Sequence, residues 1–193
     1  MILPIVAYGD PVLKREGKEI DEDYPELQTL IANMFETMEN ASGVGLAAPQ
    51  IGLSIRLFIV DTSPFVEDDE DHPDHKSLLG FRKVFINPII LEEDGTKWDF
   101  NEGCLSIPGI REDVSRKPKI LIEYFDEHFN LQEETYDGLI ARVIQHEYDH
   151  VDGVLFTDRL NPLRKQFLRK RLDKISKGIV DVDYKMKFPK TKK

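Results

Sequence analysis

Apolar residues recur with two different periods along the chain, and these periods separate predicted helices from predicted strands. Three segments repeat an apolar residue every three or four positions, which predicts helices at Pro25 to Asn40, Asp137 to Gly153 and Asn161 to Gly178. Short runs rich in β-branched and aromatic residues predict strands at Arg56 to Asp61, Phe81 to Leu91, Lys119 to Phe125 and Leu131 to Tyr136. We therefore expect an α+β fold with mixed or antiparallel strands around a central helix, followed by a C-terminal helix.

The predicted central helix carries a group of side chains suited to metal chemistry. Its apolar residues are Leu139, Ile140, Val143 and Ile144, and Asp137 can cap its start while Gly153 can end it. His146 and His150 are one helical turn apart, so they share a face and can hold one divalent ion. Glu147 can reach water at that ion without being a ligand, which completes the H-E-x-x-H hydrolase pattern.

A chance match, with the two histidines as polar surface, is the alternative interpretation of this pattern. The face that carries His146 and His150 continues the apolar face of Leu139, Val143 and Ile144, so we expect these rings to point away from solvent. Buried imidazole and carboxylate groups without partners are costly, so we favour a metal site.

Charge is distributed unevenly along the 193 residues, which include 26 basic and 36 acidic side chains. From Arg159 onward there are 13 Lys or Arg and 3 Asp, so the body is acidic and the C-terminal part is basic. An acidic body argues against wrapping nucleic acid, whereas a compact basic appendage can dock on a polyanion. The length suits one domain, so we expect a single domain over residues 1–193 that includes a basic C-terminal helix and tail from about residue 161.

Hydropathy and cysteine content predict a cytoplasmic location. No stretch approaches the ~20 apolar residues that a membrane span needs, and the opening Met-Ile-Leu-Pro-Ile-Val lacks the basic lead-in of a signal peptide. The single cysteine, Cys104, excludes an internal disulfide and fits a reducing compartment. The acidic segment 63–80 is poor in apolar residues, and we expect a mobile surface loop there.

Two further segments are candidates for the site. Gly43 to Gly52 combines three glycines with two alanines around Gln50, so its backbone can approach a ligand closely; a tight turn is the alternative. Two histidines need a third ligand, because a hydrolytic metal site usually has three protein ligands and one position for water. Cys104 lies beside a Pro/Gly-rich bend that can direct its thiolate toward the metal. Its position in the sequence is equally compatible with a small buried core residue.

Three segments together resemble the peptide deformylase family. They are Gly43 to Gln50, Glu102 to Ser106 and Gln145 to His150, which match the family's three motifs in the family's order. The resemblance extends to the Gly9 to Leu13 opening and the Gly153 to Leu160 exit. The acidic segment 63–80 is longer than in the shortest members, and the sequence after Gly178 matches no family motif.

The resemblance implies a complete catalytic arrangement. The metal ligands would be Cys104, His146 and His150. Glu147 would take a proton from water and pass it to the leaving amine, while the Gln50 amide and the Leu105 backbone N–H stabilise charge on the formyl oxygen. The implied products are formate and a free N-terminal amine.

Cofactor and substrate are also implied by the resemblance. One sulfur and two imidazoles accept Fe(II), Zn(II), Co(II) or Ni(II), and the family implies one Fe(II) ion per chain. The implied substrates are nascent N-formylmethionyl peptides. Candidate substrate-binding residues are Val44, Gly45, Phe100, Arg111, Leu139 and Val143. Ordinary core packing explains Leu139 and Val143 equally well, and a plain surface arginine is the alternative for Arg111.

Two other functions share parts of this pattern. A zinc endopeptidase would share only H-E-x-x-H, and ligation by Cys104 would distinguish the two enzymes. A non-catalytic protein with a structural metal would close the site with four protein ligands. The basic tail is either a docking surface for the ribosome or a solvated face that balances the acidic body.

Overall fold

A computed structural model describes residues 1–189, and its elements combine four α-helices with nine strands. The helices are α1 Leu27–Asn40, α2 His75–Leu79, α3 Gly138–Val151 and α4 Pro162–Ser176. The strands are β1 Ile5–Val6, β2 Gly45–Ala47, β3 Leu57–Asp61, β4 Arg82–Asp94, β5 Trp98–Cys104, β6 Ile107–Arg116, β7 Lys119–Phe125, β8 Leu131–Asp137 and β9 Met186–Lys187. Short 3-10 turns lie at Pro11–Lys14, Ala48–Ile51, Ser63–Phe65 and Phe156–Arg159.

The strands form one main sheet and two small ones. The main sheet has the order β2-β3-β4-β7-β8 and is antiparallel throughout. Strands β5 and β6 form a separate antiparallel hairpin, and β1 pairs in parallel with β9. The α+β fold with mixed or antiparallel strands is therefore confirmed.

Helix α3 lies against the main sheet, as its apolar pattern predicts. Ala141, Val143, Ile144 and Val151 are buried in one apolar cluster with side chains from β3, β4 and β7. The expected cap by Asp137 is wrong: this residue is at the N-cap position, but its side chain makes no capping hydrogen bond. Asp137 is the last residue of β8, so its extended, exposed side chain follows the sheet rather than the helix end.

Two predicted loops contain regular structure. The glycine-rich segment becomes β2 and a 3-10 turn because Gly45, Leu46 and Ala47 pair with β3. The acidic segment 63–80 contains α2, whose Leu78 is 1% exposed and whose Leu78 carbonyl accepts a hydrogen bond from Thr62 at 2.7 Å. The buried Leu78 side chain and this hydrogen bond hold a short helix that the acidic composition conceals.

Helix α4 begins at the predicted cap, because the Asn161 side chain accepts a hydrogen bond from the Arg164 N–H at 2.9 Å. It docks through Leu168, Leu172 and Ile175, which are all buried. The helical spacing of Leu163, Phe167, Leu172 and Ile175 predicts one docking stripe. That prediction is partly wrong, since Leu163 and Phe167 are 62% and 65% exposed. The basic tail ends in Lys185, Lys187, Lys190, Lys192 and Lys193, of which the last three lie outside the described residues. Among the helices of residues 1–189, none has the length and apolar character to span a bilayer.

Candidate active site

Three potential metal ligands converge between α3 and the β5–β6 hairpin. Ligand atoms of Cys104, His146 and His150 all lie within 4.8 Å of one another, and Cys104 Sγ is 3.3 Å from His150 Nε2. With bonds of about 2.0 to 2.3 Å, one ion can bridge such donors after small side-chain shifts. One sulfur and two ring nitrogens therefore fit a single divalent transition metal.

Glu102 orients one of the histidines from strand β5. Its carboxylate accepts a hydrogen bond from His146 Nδ1 at 2.9 Å, which leaves Nε2 of the ring for the ligand cluster. Arg116 donates to both carboxylate oxygens at 2.7 and 2.9 Å, and Arg142 donates to one of them at 3.0 Å. Burial would raise the pKa of Glu102, but the hydrogen bonds from Arg116 and His146 hold it well below its usual range. The carboxylate therefore stays ionised.

A chain of charged groups continues from Glu102 behind α3 and ends at Arg159, whose side chain is 42% exposed. Arg116 also donates to Asp149 at 2.8 Å, and Arg159 donates to both oxygens of Asp149. Although burial lowers the pKa of Arg116, its hydrogen bond to Glu102 and the charge of Asp149 raise the pKa overall. The buried charges of Glu102, Arg116 and Asp149 each have an opposite partner, which offsets the cost of removing them from water.

The two histidines differ in their affinity for protons. Burial lowers the pKa of His146, but hydrogen bonds with Cys104 and Glu102 outweigh it and raise the pKa well above its usual range. Burial and the charge of His146 lower the pKa of His150. A metal-binding imidazole nitrogen must be unprotonated, so the surroundings that favour a proton on His146 compete with ion binding.

Glu147 lies beside the ligand cluster with its carboxyl group buried. Its Oε2 has no hydrogen-bond partner among the described residues, and the residue is 4% exposed. Burial raises its pKa to about 7, a value at which a carboxyl can accept and return a proton near neutrality. Any cation held by the neighbouring ligands would lower this value. A Cβ atom at Gly45 would lie 2.7 Å from Glu147 Cδ, so a glycine is needed to leave room for the carboxyl group.

The Gln50 amide is held in a fixed orientation at the same site. The Gln50 side-chain oxygen accepts a hydrogen bond from the Ala47 N–H at 2.8 Å, which turns the NH2 group toward β5. That group lies 3.4 Å from both Cys104 Sγ and Ser106 Oγ. Gln50 therefore presents a donor next to the ligand cluster, and half-buried Leu105 lies between the two contacted residues.

A cleft of about 690 Å³ opens beside these groups. It is lined by five of the six candidate substrate-binding residues, namely Val44, Gly45, Phe100, Arg111 and Val143. Leu139 is not among the lining residues and is half-buried in the first turn of α3. The Arg111 side chain is held by Asn101, to which its Nε donates at 2.8 Å.

One wall of the cleft was missed by the sequence analysis. Residues 181–184, which follow α4, line the cleft, and the Tyr184 hydroxyl donates to the Leu105 carbonyl at 2.8 Å. A signal was present in the alternation of Val180, Val182, Tyr184, Met186 and Phe188 with polar residues, which is the pattern of a half-buried extended segment.

A buried H-E-x-x-H helix, a facing thiol and an open cleft define a metal-dependent hydrolase. The sequence model of the family described as polypeptide deformylase matches residues 2–166. Peptide deformylase from Christiangramia forsetii is 60% identical over 194 residues, which cover 100% of this chain and 99% of that protein. The crystal structure of peptide deformylase from Thermus thermophilus is 41% identical with a TM-score of 0.79, covering 92% of this chain and 99% of that one. The chain belongs to the peptide deformylase family.

Family membership confirms the enzyme class that the three motifs predict. The activity is the hydrolytic removal of the N-formyl group from the N-terminal methionine of newly synthesised proteins, which releases formate. The alternatives of a zinc endopeptidase and a non-catalytic metal protein are thereby set aside.

Proposed function

We propose that Cys104, His146 and His150 hold one Fe(II) ion for deformylation, with Zn(II), Ni(II) or Co(II) as possible substitutes. The convergence of their ligand atoms within 4.8 Å supports this assignment. When bound, the ion supplies Lewis acidity to the formyl carbonyl and to water. The preference for iron rests on the family resemblance, because the ligand set accepts all four ions.

In this proposal Glu147 moves the proton. Its carboxylate accepts a proton from water as the oxygen adds to the formyl carbon, and it returns the proton to the amine as the C–N bond breaks. Formate keeps the added oxygen, and the peptide leaves with a free amine. The observation that carries this role is the buried Glu147 carboxyl beside the ligand cluster, whose Oε2 has no hydrogen-bond partner within residues 1–189.

Gln50 and Leu105 stabilise the negative charge that develops on the formyl oxygen. The Gln50 side-chain NH2 and the Leu105 backbone N–H are the proposed donors, and donors fixed before the reaction stabilise such charge most effectively. The hydrogen bond that Gln50 accepts from the Ala47 N–H supports this role, because it fixes the amide orientation.

The substrate's methionine side chain is proposed to bind beside this centre. Val44, Phe100 and Val143 supply apolar surface in the cleft, and Gly45 leaves the backbone accessible. Arg111 would contact the peptide farther along. Leu139 remains a weaker candidate because it is not among the residues that line the cleft.

We also propose that residues 1–193 act as one catalytic domain in the cytoplasm and that the basic helix α4 docks on the ribosome. Nascent formylated chains emerge there from an RNA-rich surface, which attracts basic side chains. The exposed basic residues of α4 without an ion pair or hydrogen bond among the described residues are Lys165, Arg169, Lys170 and Lys174. Arg171 and Lys177 are also exposed, but Arg171 donates to the Gly109 carbonyl and Lys177 pairs with Asp173. Arg164 is less available because it pairs with Glu112 at the hairpin.

The test is an anaerobic assay of formate release from a short formyl-Met peptide by the Fe(II)-loaded chain. Release of formate with the iron form, together with one ion per chain, is the expected result. An unformylated Met peptide is the control for hydrolysis elsewhere in the substrate. Cleavage of internal peptide bonds, or no formate, would contradict the proposal.

A further inference from the structure

The chain beyond α4 returns to the cleft as an extended segment, residues 179–188, which we call the C-terminal strap. Its inward side chains Val180, Val182, Tyr184, Met186 and Phe188 are half-buried and alternate with exposed residues. Strand β9 joins the strap to β1 through hydrogen bonds from the Ile5 N–H to the Lys185 carbonyl at 2.8 Å and from the Ala7 N–H to the Lys187 carbonyl at 2.9 Å. The strap is therefore an integral part of the fold.

Tyr184 is the strap residue that reaches the reaction centre. Its ring packs against the same apolar cluster as Leu105, and its hydroxyl donates to the Leu105 carbonyl at 2.8 Å. A phenol with an ordinary pKa of about 10 is neutral near pH 7 and retains its proton as a donor. The hydrogen bond therefore persists under the conditions of the reaction.

Leu105 lies in the turn that joins β5 to β6, between a metal-ligand candidate and a fixed serine. The Ser106 carbonyl accepts a hydrogen bond from the Tyr8 N–H at 2.8 Å, so the turn is fixed on its far side. Tyr184 fixes the Leu105 carbonyl itself. Holding both carbonyls limits rotation of the Leu105 backbone, which also carries the N–H directed at the substrate in the proposed function.

We propose that Tyr184 is a positioning residue for deformylation: by holding the Leu105 carbonyl, it keeps the Leu105 N–H aligned with the oxygen that becomes negative during the reaction. The inference rests on the proposed role of Leu105. Alignment of this kind matters more to the transition state than to substrate binding, because the charge on the oxygen is greatest there. Loss of the phenol hydroxyl therefore lowers kcat more than it changes KM.

Tyr184→Phe separates positioning from packing, since it removes the hydroxyl and keeps the ring. Tyr24→Phe is the matched control: Tyr24 is half-buried against the same apolar cluster, and its hydroxyl makes no hydrogen bond within residues 1–189. Both variants are loaded with Fe(II) and compared with the parent in formate release, metal content and melting temperature.

The expected loss in kcat for Tyr184→Phe is about three- to tenfold, the range for one neutral hydrogen bond, with KM within about twofold of the parent. Tyr24→Phe, the control, should have the same kcat and KM as the parent. In the metal-free 15N-labelled chain, the Leu105 and Ser106 amide resonances shift in Tyr184→Phe and stay in place in Tyr24→Phe. This second readout detects the change in the turn without relying on catalysis.

Four results would overturn the inference. An unchanged kcat in Tyr184→Phe, or an equal loss in Tyr24→Phe, removes the positioning role and leaves the proposed function standing. A parent chain that releases no formate removes both together. A rise confined to KM would assign Tyr184 to substrate binding in place of positioning.

Discussion

Glu102 and His146 form a buried pair in which the carboxylate accepts the Nδ1 hydrogen bond at 2.9 Å, with side chains 3% and 10% exposed. Glu102→Gln removes the charge that holds this ring and balances Arg116. We expect metal affinity to fall about 10- to 100-fold, because partners of ligating histidines typically contribute that much. Metal titration with a competing chelator measures the loss.

Glu112→Gln is the matched control for that variant. Glu112 is paired directly with Glu102 across the β5–β6 hairpin, but its carboxylate contacts Arg164 on α4. This control should keep the metal affinity of the parent. Equal affinity in Glu102→Gln and the parent would show that the pair does not orient His146.

Glu147→Ala should abolish turnover while the metal stays bound. Its carboxylate is proposed to transfer protons and not to ligate the ion, so kcat should fall at least ~10²-fold. Elemental analysis of the purified variant checks retention, and formate release measures the rate. A metal-free or unfolded Glu147→Ala chain would contradict the assigned role.

Cys104→Ser should weaken metal binding sharply, because a neutral hydroxyl replaces an anionic sulfur ligand. The iron form of the parent should also lose activity in air as Fe(II) or the thiolate is oxidised, while zinc or nickel forms lose activity more slowly. Timed assays in air and under nitrogen compare the forms. Full metal content with intact activity in Cys104→Ser would remove the cysteine from the site.

Acid stability should depend on Glu134, which accepts hydrogen bonds from Lys83, Tyr124 and Tyr136. Burial would raise its pKa, but these hydrogen bonds lower it below the usual value of 4.5. The ionised form is therefore favoured by folding, so its stabilisation is present above pH 4.5 and is lost as the pH falls through the lower folded value.

Glu134→Gln should consequently unfold at lower urea concentration than the parent at pH 7, and the difference should shrink below about pH 4. Glu133→Gln, an exposed neighbour on the same strand, is the control. A difference between Glu134→Gln and the parent that stays constant from pH 7 to pH 3 would contradict the linkage.

Ribosome docking is tested by changing Lys165, Arg169, Lys170 and Lys174 to Gln on α4. Co-sedimentation with ribosomes at low salt should decrease and its salt dependence should become shallower, because fewer phosphate contacts release fewer counterions. Turnover of a short formyl peptide should not change. Lys18, Lys76, Lys97 and Lys119, which are exposed elsewhere, provide a Gln control of equal charge. Undiminished co-sedimentation would remove the docking proposal.

Truncation after Gly178 would be unsuitable for that test. It would delete Tyr184 from the cleft and the strand that pairs with β1, so it would alter the active site together with the basic tail.

Elements with strong local signals were predictable. The bounds of α4 and β7 match the sequence pattern closely, since caps and apolar periods depend on neighbouring residues alone. The spacing of His146 and His150 likewise placed both on one helix face before any packing was known. The family was recognisable because three short motifs occur in one order.

Features that depend on contacts between distant parts of the chain could not be predicted from the sequence. From its spacing in the sequence, Cys104 could equally be a metal ligand or a buried core residue. The folded β5–β6 hairpin decides this, because it places the Cys104 sulfur 3.3 Å from His150 Nε2. Phe167 belonged to a convincing apolar stripe, yet it is 65% exposed because the body covers the adjacent face of α4. Tyr184 is 79 residues from Leu105 in sequence, so no local pattern could pair them. The spacing of apolar residues shows which side chains share one face of a helix or strand. Whether that face is buried depends on contacts with segments that are distant in sequence.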